Sequence, residues 1–245
     1  MEILAGRRKM SRKLSSFVIV SGLVLLMASF AIAKVSAFPE DTLREKTFTT
    51  YYGTPLGTPG TWTYNVYGYG GIHWANGKVV TYSVNLKGAP TNALVAVENA
   101  FETWDKEIGD RLFNDNVQVG SLKLVGNKYD GQNVVSWGRL GRGIIAQTTV
   151  WYNSRTKEIV EFGIIFSTAY KWGIDADGEG SSYTLTGAFD VQNIAAHEAG
   201  HTLMLDDLYM SAASALTMYG YGDFGETYAI SLGVGDISGI HAVYP

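Results

Sequence analysis

HEAGHTLMLDD, residues 197–207, holds two of the chain's four histidines, four positions apart. On a helix that interval puts both imidazoles on one face, one turn apart, with Cβ atoms about 5–6 Å from each other. Two ring nitrogens can then reach one metal ion. Glu198, beside them, is placed to touch a metal-bound water rather than the metal. The 245-residue chain has no cysteine, so it has neither a disulfide framework nor a thiolate ligand. Any metal must sit on His, Asp or Glu. A catalytic zinc takes three protein ligands and keeps a fourth position for water. His73 and His241 are distant in sequence, so Asp206 and Asp207 are the nearest third ligands. Either carboxylate suits zinc, at about 2.0–2.2 Å. To bring one in, the helix must stop near Met204 and the chain must turn back.

The sequence upstream supports a helix over 191–204. In FDVQNIAA (189–196), Val191, Ile194 and Ala195 supply an apolar face, and Asp190 is a suitable N-cap. Further out, KVVTYSVNL (78–86) alternates, with Val80, Tyr82, Val84 and Leu86 on one face, and reads as a strand. TNALVAVENAFETWDKEI (91–108) has Leu94, Val97, Phe101, Trp104 and Ile108 at helical steps, with Pro90 and Thr91 at its start. Strand-like runs follow at 117–125, 133–140, 144–153 and 159–167, and NSRTKE (153–158) joins the last two as a hairpin. DADGEGSS (175–182) reads as an acidic loop, and VGDISGIHAVY (234–244) as a terminal helix. This order predicts an α+β or α/β domain.

Residues 1–37 read as an export signal. GRRKMSRK (6–13) precedes the apolar run FVIVSGLVLLMASFAIA (17–33), and small residues offer cuts after Ala33 or Ala37. An uncleaved segment would instead anchor the protein in a membrane, facing outside. Without residues 1–37 the chain has 13 basic and 22 acidic residues, a net charge of −9. That balance argues against nucleic acid as a partner and suits a secreted, extracellular protein. Residues 38–73 form a Gly/Pro/aromatic-rich segment, readable as a wrapping loop or a removable pro-segment. Residues 74–245 would be the main domain.

That domain resembles the metzincin zinc proteases, whose motif runs H-E-x-x-H-x-x-G-x-x-H/D. His197, Glu198 and His201 match it, and Asp207 falls at the third ligand. Met204 stands where the family has glycine, a position that ends the helix with positive φ. ALTMYGYG (215–222) resembles the family's Met-turn, with Met218 beneath the zinc ligands. VENAFETWDKEI and GDISGIHAVYP resemble the first and final helices of the matrixin branch. The resemblance spans about residues 74–245.

It implies a metzincin-like α+β fold: a twisted, mixed five-stranded sheet, mainly parallel with one antiparallel edge strand. Two long helices and a small C-terminal subdomain ending in a helix would complete it. It also implies an endopeptidase with one catalytic zinc held by His197, His201 and Asp207. A zinc-activated water would attack the peptide bond with Glu198 as general base. Tyr219 and Tyr221 are candidate oxyanion or zinc contacts. Asp175, Asp177 and Glu179 are candidate calcium ligands. The expected partner is a protein or peptide substrate, and the expected state is a monomer. Glu226 is the third ligand of a rival, gluzincin-like scheme. The other class of reading is a non-catalytic exported zinc-binding or surface-interaction protein that keeps the fold.

Overall fold

The long strands and helices form where hydrophobic periodicity is strongest. In the computed structural model, which describes residues 42–53, 63, 65–109, 112–114, 117–121, 123–176, 178–179 and 185–245, they are as follows. Strand β1 is Leu43–Tyr52 and β2 is Ser83–Val84; helix α1 is Ala93–Ile108. Strands β3 (Gln118–Val119), β4 (Val134–Gly138), β5 (Ile144–Asn153) and β6 (Ile159–Ser167) follow. Two short strands, β7 (Trp172–Gly173) and β8 (Phe189–Asp190), lead into helix α2, Val191–His201. A 3₁₀ turn at Ser211–Ala213, strand β9 (Tyr221–Gly222) and helix α3 (Val234–Val243) complete the chain. The expected export signal lies outside the described residues. Among those residues no helix is long and apolar enough to cross a membrane.

The main sheet is mixed, in the order β3-β2-β4-β6-β5-β1-β9. Strands β3, β2, β4 and β6 run parallel, while β5 is antiparallel to both β6 and β1. The α+β class holds, but the expected sheet of five strands has seven. The two additional strands are β1, in which residues 43–52 of the N-terminal segment line the outer side of β5, and β9, which pairs with β1. The antiparallel strand is therefore internal rather than at the edge. Only Phe48 is strongly apolar on the inward face of LREKTFTTYY, so alternation of hydrophobicity could not announce this strand. Two expected strands are shorter than read: 78–86 contracts to Ser83–Val84, with Val80 bridging to Phe113, and 117–125 contracts to Gln118–Val119.

The described residues form one compact unit around a single core. Helix α1 lays Ala93, Ala96, Val97, Ala100, Phe101 and Trp104 inward. Phe101 stacks on Tyr82 and meets Phe113 edge-on, with centroids 4.3 and 4.8 Å apart. Helix α2 is buried at every position except Gln192. The Trp104 indole of α1 donates to the Ala196 carbonyl of α2 at 2.8 Å, which fixes the rotation of one helix against the other. The expected N-cap is present: Asp190 accepts from the Asn193 amide at 2.8 Å.

Candidate metal centre

The end of α2 decides where the third ligand goes. The Leu205 amide donates to Gly200 O at 3.2 Å and the Met204 amide to His201 O at 2.9 Å. This is a Schellman motif, with Met204 at the left-handed position where glycine is usual. Met204 takes φ 63°. A non-glycine residue there costs about 1–2 kcal/mol. The side chain is fully buried, and burying a Met is worth about 1.5–3 kcal/mol, which offsets the strain. The turn is braced from the N-terminal side: Trp74 Nε1 donates to Thr202 O at 3.0 Å, and the Asp206 amide donates to Gly68 O at 3.0 Å. Residues 65–74 therefore wrap the corner of the site.

The turn directs Asp207, not Asp206, to the histidines. Asp207 Oδ1 lies 3.2 Å from His197 Nε2 and 3.3 Å from His201 Nε2, and the two Nε2 atoms are 2.9 Å apart. Asp206 instead pairs with Lys46 of β1. Each imidazole presents its other nitrogen to a carbonyl: His197 Nδ1 to Thr217 O and His201 Nδ1 to Leu205 O, both at 2.7 Å. A carbonyl only accepts, so both Nδ1 atoms carry the proton and both Nε2 atoms present lone pairs. Those lone pairs face each other and a carboxylate oxygen that has no hydrogen-bond donor. Three such buried atoms repel one another unless a cation, either a metal ion or a proton on an imidazole, sits among them. Ligands about 2.0–2.1 Å from a tetrahedral centre stand about 3.3 Å apart, close to the spacing here. Among the described residues this is the group of His, Asp and Glu side chains that could hold a metal ion.

The segments that carry these carbonyls are themselves held in place. Asp236, in the first turn of α3, accepts from the Thr217, Met218 and Gly233 amides at 2.9, 3.1 and 2.9 Å. It thereby holds the segment that orients His197. Met218 is buried beneath α2, against Gly200 between the two histidines: a Cβ built on Gly200 would stand 2.3 Å from Met218 Sδ. Tyr209, which sequence reading missed, hydrogen-bonds Asp207. Burial and that carboxylate's charge push its hydroxyl pKa up.

Glu198 is fully buried. Its Oε1 accepts from the Thr50 hydroxyl of β1 at 2.6 Å, and its Oε2 from the Thr148 hydroxyl of β5. Both threonines escaped sequence reading, because a hydroxyl on a strand carries no periodic signal. Tyr219 and Tyr221 line a narrow cleft with Thr50, His197, Thr217 and Glu226. Glu226 accepts from the Asp223 amide at 2.8 Å and is not part of the three-ligand group. Glu179 accepts from the Ser231 hydroxyl at 2.7 Å, Asp175 is buried beside Asp190, and Asp177 lies outside the described residues. His73 and His241 bond backbone carbonyls and are not part of the three-ligand group.

The sequence matches no protein-family model, and no curated protein matches it. Fold and site together define an α+β protein with a buried His–His–Asp group able to hold a metal ion.

Proposed function

We propose that the protein is an exported, zinc-dependent endopeptidase of the metzincin type, close to the matrixin-like branch. The observation that carries this reading is the convergence of three buried, donor-free ligand atoms at tetrahedral spacing, with Glu198 adjacent on the same helix. Two nitrogens and one carboxylate oxygen suit zinc, and three protein ligands leave one position open, as in catalytic sites. Met218 under α2 and the positive φ of Met204 are further points in its favour.

Bound zinc would supply Lewis acidity, activating a water and polarising a carbonyl. The chain's own residues do the rest. His197, His201 and Asp207 hold their orientation through the Thr217, Leu205 and Tyr209 contacts. Glu198 Oε1, now held by the Thr50 hydroxyl, is the atom assigned to take a proton and return it to the leaving amine. Tyr219 and Tyr221 stand at the cleft wall, where a hydroxyl can donate to a developing oxyanion.

A second reading, a non-catalytic zinc-binding protein, is favoured by one observation: both Glu198 oxygens are occupied by threonine hydroxyls. Casein hydrolysis by residues 38–245, beside Glu198→Ala and with zinc counted in both, separates the two. The expected result is one zinc in each and a loss of about 10²-fold or more in turnover for the variant. Equal and measurable turnover in both, or no zinc in either, would end the peptidase reading.

A further inference from the structure

Strand β1 runs past the candidate metal centre between two backbone edges. On one side it is antiparallel to β5, from Leu43 opposite Asn153 to Thr50 opposite Ala146. On the other it runs parallel to β9, with the Tyr51 amide donating to Gly220 O at 3.1 Å and the Gly53 amide to Gly222 O at 3.0 Å. It therefore fills the gap between two backbone edges that flank the ligands, satisfying both by the main-chain pairing that extended peptides use on open sheet edges.

Its inward side chains address the site one after another. Lys46, Phe48 and Thr50 share one face, as the two-residue period requires. Lys46 pairs with Asp206, next to the ligand Asp207, and stands over the Phe48 ring. Phe48 stacks flat on the His201 imidazole, centroids 4.1 Å apart at 10°. Thr50 donates to Glu198. His197, Glu198 and His201 are 3, 0 and 0% exposed.

We propose that β1 is an intramolecular latch that occupies the peptide-binding gap, shields the metal ligands and holds Glu198 through Thr50, so that the site is latent until β1 leaves. The proposal rests on the metal-centre reading. It supplies latency by strand pairing in a chain that has no cysteine to offer a metal. The gap that β1 vacates then receives an extended peptide in the same register, antiparallel to β5 and parallel to β9.

Thr47 and Thr149 provide the test. They are register partners facing away from the site, with hydroxyls 3.2 Å apart. In residues 38–245, the Thr47→Cys/Thr149→Cys double variant holds the only two thiols and can form one disulfide, pinning β1 to β5. The cobalt-substituted protein is titrated with acetohydroxamate, read from the visible cobalt bands, and casein cleavage is followed in parallel. The oxidised form should bind acetohydroxamate about tenfold or more weakly than the form reduced with a phosphine, since the open state alone is competent. Casein cleavage should fall with it. Thr50→Val, which needs no disulfide, should bind the probe more tightly than the parent chain.

Equal binding by the oxidised and reduced forms overturns the latch, as does the absence of any gain in Thr50→Val. Equal casein cleavage by both redox forms also overturns it while leaving the peptidase reading standing. A redox difference in probe binding without cleavage by any form retains the latch and removes the peptidase. Failure of the reduced form to take up cobalt ends both.

Discussion

His197 and Asp207 each resist what burial alone would do to them. Burial acts to lower the His197 pKa, but the hydrogen bond and charge of Asp207 outweigh it and raise the value above the ordinary one. For Asp207 burial acts upward, and the two imidazoles outweigh it and hold the carboxyl well below its usual range. In the metal-free chain the His197 contribution to stability is complete below about pH 6.5 and is lost as pH rises through the raised folded value. The Asp207 contribution is complete above about pH 3.9 and is lost as pH falls through the lowered value. The metal-free protein should therefore be most stable between those limits, with a melting midpoint that falls from pH 6 to pH 9. Zinc reverses the slope, because it competes with the same protons. Circular-dichroism melts across that range check this. A metal-free midpoint that stays level, or an Asp207→Asn variant with the same slope as the parent, would contradict it. At this scale the histidine spacing was legible because i, i+4 on a helix is a local relation. The residues alone left Asp206 and Asp207 both open and only the family resemblance pointed to Asp207, because what occupies Asp206 is Lys46, 160 residues away.

Helix α2 is held from three directions, and Gly200 is where they meet. A Cβ there would stand 2.3 Å from Met218 Sδ and 2.7 Å from Trp104 Cζ2. Replacing Gly200 with alanine adds about 1 kcal/mol of helix propensity. Overpacking at a tight contact costs about 1–3 kcal/mol. The indole cannot bend away, and Trp104 is also tied to Ala196. Gly200→Ala should thus lose up to about 2 kcal/mol net, seen as a lower urea midpoint with an unchanged slope, and should weaken zinc binding by displacing Met218. A variant more stable than the parent would mean that Met218 is not wedged there. Helix α1, strands β4 to β6 and the three-turn α2 were legible as elements, since each carries several apolar residues at its own period. Strands β2 and β3 were over-read: alternation persists beyond Val84 and Val119, but pairing does not. Strand β1 went unread because its inward face is a lysine, one phenylalanine and a threonine, selected by the site rather than by the core.

The sheet joins parts of the chain that are far apart in sequence. The first described strand pairs with β5, Thr50 opposite Ala146, and with β9, Tyr51 opposite Tyr221. Neither partner exists for β1 until most of the chain has been made, and pairings of such separation form slowly. The class of fold was legible from the succession of elements, but this long closure was not, since no local signal records which strand a segment will join. The chain's order of completion follows. Helix α2 and its turn bring together His197, His201 and Asp207 within eleven residues, whereas the cover over them needs both ends of the sheet. Assembly should therefore present an open cup first and a sealed one last. Cobalt supplied during refolding should enter quickly, and cobalt added afterwards should enter only as fast as β1 lifts. Equal uptake rates would refute that sequence of events. For a protein exported in an extended state, the ion would have to be acquired at its destination while folding is still under way: the sealing that protects the site also sets a deadline for filling it.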